Sequence, residues 1–223
     1  MLVIHHLNNS RSQRILWLLE ELELPYEIKK YERTAQGRAP PELLKINPLG
    51  KAPVITDGDV TVAESGAIVE YIISKYGNGK AIVPEAGYLD NLYYTHYAEG
   101  SLMPILVQKY IFDLIPKNTP FYIRPIVNMV FSQLDRQLVQ PEIKKNLEYV
   151  ESHLAKSSTG WFAGGQEPTA ADYQMAFPLE AVVAISSVQV GPKIQEYVKM
   201  VHSRPAYKRA LEKGGEYAYA KEA

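Results

Sequence analysis

The stretch from Asn47 to Tyr71, NPLGKAPVITDGDVTVAESGAIVEY, constrains this chain more than any other. Asn47-Pro48-Leu49-Gly50 is punctuated as a turn, because proline presets φ and glycine tolerates positive φ. Pro53 opens a short apolar strand, Pro53-Val54-Ile55, at the strand position where a missing N–H breaks no ladder. Asp57-Gly58 has the chemistry of a hairpin turn, and Val60-Thr61-Val62-Ala63 returns antiparallel. After Glu64-Ser65 the period changes. Gly66 to Ile72 turns helical, with Ile68, Tyr71, Ile72 and Lys75 on one stripe. A helix N-terminus offers free N–H groups and a positive dipole end, which suit a carboxylate. Ser65 adds a hydroxyl there and Glu64 a negative charge, so the turn suits a zwitterionic α-amino acid head. Ser65 also fits a plain N-cap, but the upstream Lys51-Ala52-Pro53 favours a ligand. An X-Pro bond adopts cis at modest cost, and a cis Ala52–Pro53 bond would open the Ala52 backbone to a peptide-like ligand.

The remaining chain divides in two. Met1 to Leu7 is a first strand, followed by the polar turn Asn8 to Ser12. From Arg11 to Leu24, Ile15, Leu18, Leu19 and Leu22 recur at helical spacing, broadened by Leu16 and Trp17, while Glu20, Glu21 and Glu23 are expected to face solvent. Pro25 ends that helix. Tyr26 to Tyr31 is a second strand, parallel to the first by the crossover rule, and Pro40 to Ile46 is a short helix. The order predicts a mixed four-stranded α/β domain over residues 1–78, a turn-rich linker over 79–87, and an all-α domain over 88–223. In the second part, Tyr88 to Ile115 is expected as one long helix kinked at Pro104. Phe121 to Val139 and the stripe Ile143, Leu147, Val150, Leu154 follow. Thr169-Ala170-Ala171-Asp172 is a capping box opening the next helix, a structural feature. Ile194 to Val201 and a last helix from Pro205 complete the part. The tail from Gly214 is polar and is expected to be mobile.

Composition removes several chemistries. The 223 residues contain no cysteine, which excludes disulfides, zinc–thiolate sites, a CxxC redox pair and a cysteine nucleophile. Sulfur chemistry here needs a ligand that brings the sulfur. A net charge of −1 gives no basic field for nucleic acid or anionic membrane. No apolar run approaches the roughly 20 residues of a membrane span, and no secretory signal opens the chain, so a cytoplasmic location is expected. His5 and His6 are adjacent on a strand and point to opposite faces, which disfavours a shared metal ion.

The runs NPLGKAPVI and AESGAIVEYI, with Asn9 to Leu22 carrying N-S-R-S-x-R-I-L-W-L-L-E-E-L, resemble the soluble glutathione transferases, in particular a fungal and bacterial branch. The resemblance spans almost the whole chain and implies a thioredoxin-like first domain, an all-helical second, and a homodimer. It implies that glutathione, a co-substrate rather than a cofactor, is held by Lys51, Ala52, Pro53, Glu64 and Ser65, with Arg38 a further candidate for the glycine end. No metal or redox cofactor is implied. A free thiol titrates near roughly 8.5, and lowering it by two units takes about 2.7 kcal/mol. In serine-type members the donor lies on the loop before the first helix. Gapless alignment puts that position on Asn9, with Ser10 next. The candidates rank Ser10, then Asn9, then Ser12, and each also fits a helix cap. Residues 1–25 lack tyrosine, which excludes the tyrosine-type variant. Tyr94, Tyr97, Met103 and Tyr110 are candidates to line a pocket for an apolar electrophile or peroxide, or else they are core. The alternatives are a weakly catalytic glutathione-binding module and glutathione-dependent disulfide reduction.

Overall fold

β1 (Leu2–Leu7) is the strand on which the first domain is built. A computed structural model describes residues 1–184 and 188–220. In it β1 pairs in parallel with β2 (Tyr26–Tyr31) and antiparallel with β3 (Val54–Asp57), which pairs with β4 (Val60–Ala63), giving the order β2-β1-β3-β4. Ile4 stands opposite Ile28 on one side and Ile55 on the other, so the register puts apolar residues in line. The β1–β2 crossover is α1 (Ser12–Glu21), as a parallel pair requires. α2 (Pro41–Leu44) and α3 (Ser65–Tyr76) complete this thioredoxin-like domain.

The second domain is helical: α4 (Tyr88–Tyr97), α5 (Met103–Lys117), α6 (Arg124–Leu134), α7 (Gln140–Leu154), α8 (Ala170–Val183), α9 (Pro192–Ser203) and α10 (Pro205–Gly214). The helix expected to kink at Pro104 is instead interrupted just before it, by a widened π turn over Ala98–Leu102. Proline lacks an N–H and its ring crowds the carbonyl four residues back, here Gly100, so the preceding turn opens. A second π turn, Asp135–Val139, precedes Pro141 in the same way. At Gly87 the linker runs so close to the 161–164 loop that an added Cβ would lie 2.0 Å from the Ala163 carbonyl oxygen.

Two expectations about polarity fail. α1 packs on β1 and α3 but also on α8 and α10, so Ile15, Leu16, Trp17, Leu18 and Leu19 are all fully buried. Glu20 is buried rather than solvent-facing: it receives the Tyr26 hydroxyl at 2.5 Å, Arg209 Nε at 2.9 Å and the Lys213 ammonium. Glu21 receives Trp17 Nε1 at 2.8 Å and the Arg204 guanidinium. The tail likewise docks over its described residues 215–220. Tyr217 is buried, its hydroxyl 2.7 Å from Glu180 Oε2, and Tyr219 meets Phe177 edge-on at 5.6 Å. Two aromatic side chains with core partners outweigh the charged Glu216 beside them.

Candidate active site

The loop from β1 to α1 carries the three candidate thiol donors, and it treats them differently. Ser10 Oγ donates to the Leu7 carbonyl at 2.7 Å and lies 2.7 Å from Ser12 Oγ. Ser12 Oγ lies 2.8 Å from His6 Nδ1, and the Ser12 N–H donates back to Ser10 Oγ at 3.2 Å. Both serines are buried, so their hydroxyls knit the loop together. Burial, reinforced by Lys30, pulls the His6 pKa down to about 4, and its imidazole is neutral at physiological pH. Asn9 is half-buried at φ +47°, a conformation that asparagine tolerates better than most residues. Its Oδ1 accepts the Ala218 N–H at 2.7 Å, and its carbonyl accepts Arg33 Nη2 at 3.4 Å. Its Nδ2 has no hydrogen-bond partner among the described residues.

The second half of the site is the start of α3. Glu64 is exposed at φ +72°, and Ser65 is buried as the first helical residue. Ile68 N–H makes the first intrahelical bond, to the Glu64 carbonyl at 2.9 Å, which leaves the N–H groups of Ser65, Gly66 and Ala67 ahead of the ladder. Ser65 Oγ donates to Gln174 Oε1 on α8 at 3.1 Å, and the same oxygen accepts Arg14 Nη1 at 2.8 Å. Arg14 also pairs with Glu99 at 3.0 Å, and Arg11 Nε donates to Glu99 at 2.9 Å. Burial lowers the Arg14 pKa and the Glu99 carboxylate opposes that shift. One glutamine of the helical domain thus ties α1 to the N-terminus of α3.

The Ala52–Pro53 bond is cis, with Pro53 buried ahead of β3. Lys51 is exposed, and its carbonyl is held by Asn47 Nδ2 at 3.0 Å. Arg38 is exposed at the end of a tight loop closed by Thr34 N–H on the Arg38 carbonyl at 2.9 Å. The aromatic candidates separate. Tyr94 sits in the helical core with Phe162 and His153, at centroid distances of 4.6 and 4.3 Å. Met103 is also core. Tyr97 is mostly buried and borders a groove of about 500 Å³ with Tyr93, Pro104, Asn146 and Tyr149. Tyr110 is 62% exposed on α5.

Sequence reasoning missed Gln174, Arg14, Glu99 and the tail. Arg14 heads the apolar run Ile15–Leu19 and Gln174 stands between Tyr173 and Met175, and a polar residue beside such residues signals a buried partner. That signal names no partner. Among the described residues no group of three or more His, Asp or Glu is placed to hold a metal ion, and no helix is long and apolar enough to cross a membrane.

Comparison with known proteins gives the family. Residues 1–74 match the family model "Glutathione S-transferase, N-terminal domain", and residues 123–214 match "Glutathione S-transferase, C-terminal domain". The chain is 42% identical to glutathione S-transferase 3 of Schizosaccharomyces pombe over 96% of its own length and 88% of the relative's. It is 33% identical to glutathione S-transferase 1 of Saccharomyces cerevisiae over 94% of each. A crystal structure of a glutathione S-transferase from Actinobacillus pleuropneumoniae superposes with a TM-score of 0.76 at 29% identity, covering 100% of this chain and 97% of that one. With its thioredoxin-like half and its helical half both matched, the chain belongs to the glutathione S-transferase family.

Proposed function

We propose that this glutathione transferase seats the γ-glutamyl head of glutathione on the first turn of α3 and activates the thiol with Asn9. The carboxylate takes the free N–H groups at Ser65 and Gly66, and the Glu64 carboxylate takes the amine. Lys51 meets the glycine carboxylate, with Arg38 a second cation for that end, and the Ala52 backbone beside Pro53 pairs with the peptide. The thiol loses its proton to water. The thiolate then forms a bond to an apolar electrophile as the leaving group departs, or attacks a peroxide oxygen as the O–O bond breaks, giving an alkoxide and a sulfenic acid that a second glutathione converts to the disulfide with loss of water.

The observation that carries the choice of donor is the unpartnered Asn9 Nδ2 beside two committed serine hydroxyls. Ser10 would have to give up the Leu7 carbonyl to serve a thiolate, so the sequence-based order becomes Asn9, then Ser10, then Ser12. A hydrogen bond to a charged group contributes about 1.5–3 kcal/mol, or about one to two pKa units. The α1 dipole adds to it. For the electrophile, exposed Tyr110 together with Tyr219, whose pKa is raised by burial and then by nearby Tyr110, is a better lining than Tyr94 or Met103.

We extend the proposal to a homodimer in the cytoplasm, working without a metal or redox cofactor. None of α6 is buried, and Phe121 and Tyr122 before it and Ile126 and Met129 on it are mostly exposed, which supports a partner subunit there. A weakly catalytic binding module is the second reading, favoured by an amide where a hydroxyl is usual. Conjugation of glutathione to an aryl halide, measured beside glutathione affinity, separates the two. Asn9→Gly, which tolerates the positive φ, is expected to keep affinity within about threefold and lower kcat/KM at neutral pH by about tenfold or more. Ser10→Ala is expected to cost less. Tight binding by the parent chain without turnover would establish the module instead.

A further inference from the structure

A carboxamide is nearly symmetric in shape, but one end donates hydrogen bonds and the other accepts them. Turned the wrong way, Asn9 would point an oxygen lone pair at a thiolate and repel it. The loop backbone sets where the amide sits, through Arg33 Nη2 on the Asn9 carbonyl at 3.4 Å, but not which way it faces. That choice is made by the tail. α10 ends at Gly214, Gly215 at φ +96° turns the chain, and Tyr217 anchors in the core on Glu180. Glu180 also receives the Tyr207 hydroxyl at 2.6 Å, so the anchor is shared with α10. One residue later the Ala218 N–H meets Asn9 Oδ1 at 2.7 Å. A backbone N–H is answered only by the oxygen end. Tyr219 then closes on Phe177, whose ring also carries the Arg11 and Arg14 guanidiniums at 5.6 and 5.0 Å.

We propose that the segment Gly215–Ala220 is a positioning strap: its Ala218 N–H holds the Asn9 oxygen and thereby presents Nδ2 to the sulfur. Ala218 acts through Asn9 and touches no reacting atom. The inference rests on Asn9 as the thiol donor, and the test separates the two.

The full-length chain with lactic acid in place of alanine at 218 exchanges the N–H for an ester oxygen and leaves every side chain in place. Ala218→Pro removes the same N–H by ordinary mutagenesis, and the ester decides the matter if the proline disturbs the fold. The readouts are the pKa of bound glutathione, from the ultraviolet absorbance of its thiolate, and the pH profile of kcat/KM. Both variants are expected to raise the thiol pKa by about one unit, with about a tenfold loss of kcat/KM at neutral pH that is recovered at alkaline pH. A merely structural role would lower the whole profile without moving its midpoint. In an Asn9→Gly background the ester is expected to add nothing. If Asn9→Gly raises the thiol pKa and neither change at 218 moves it, the strap is refuted while the donor stands. If Asn9→Gly itself leaves the thiol pKa unchanged, the donor assignment falls and the strap falls with it.

Discussion

Asn9, Ser10 and Ser12 lie within four residues and share a helix N-terminus, yet only one has a proton to spare. What commits the serines is local: a carbonyl at Leu7 and a neutral imidazole at His6. His6 makes that arrangement pH-sensitive. Its pKa is about 4 in the folded chain against 6.5 for an ordinary histidine, because burial and Lys30 disfavour the cation. The unfolded chain therefore binds more protons between these values. The stability contributed is present above 6.5 and lost as pH falls toward 4. Between pH 7 and pH 5 the loss comes to about 2 kcal/mol. Asp172 runs the other way, since burial pushes its carboxyl up to about 6 and favours the folded state as pH falls through that range. The parent's net slope is shallower for that reason, and the variant isolates the His6 share. Urea unfolding at pH 7 and pH 5 is expected to show His6→Gln losing about 2 kcal/mol less than the parent on acidification. An equal loss in both would remove His6 from the account.

At the scale of elements, α8 is the helix that both domains use, and one carboxylate starts it. Asp172 Oδ2 accepts the Thr169 N–H at 2.8 Å and the Thr169 hydroxyl at 3.1 Å, while Oδ1 accepts the Phe162 N–H at 3.0 Å. Asp172→Ala strands two buried N–H groups, each costing about 1–3 kcal/mol, so a loss of about 3–5 kcal/mol is expected in urea unfolding. Thr169→Ala keeps both N–H bonds and is expected to cost about 1 kcal/mol. Equal costs would show that the hydroxyl, not the pair of N–H bonds, sets the start of the helix. This capping box was legible because both its residues lie within one turn. The β-hairpin and the opening of α3 are legible for the same reason: Asp57-Gly58 turns its own strand, and the Glu64 carbonyl takes the first intrahelical N–H, from Ile68. The tail is not legible in the same way, because the residues that hold it are remote in the chain. Tyr217 finds Glu180 and Ala218 finds Asn9, and local polarity reports neither. Local polarity likewise points Glu20 to solvent, while its partners Arg209 and Lys213 stand on α10.

In the whole molecule the helical domain completes a site that the thioredoxin-like domain only outlines. Gln174 joins Arg14 on α1 to Ser65 on α3, Glu99 holds Arg11 and Arg14 from the π turn, and the tail reaches Asn9. The sequence pattern disclosed the stretch on which the proposed γ-glutamyl seat is built, because Glu64, Ser65 and Gly66 are consecutive. It did not disclose which of Asn9, Ser10 and Ser12 keeps a free donor, because that depends on contacts from β1 and from the far end of the chain. A crystal structure of the chain with glutathione bound tests the central claim most directly. The account predicts the γ-glutamyl carboxylate on the Ser65 and Gly66 N–H groups, and the sulfur within hydrogen-bond reach of Asn9 Nδ2. A sulfur bonded to Ser10 Oγ, with the Leu7 carbonyl abandoned, would contradict it.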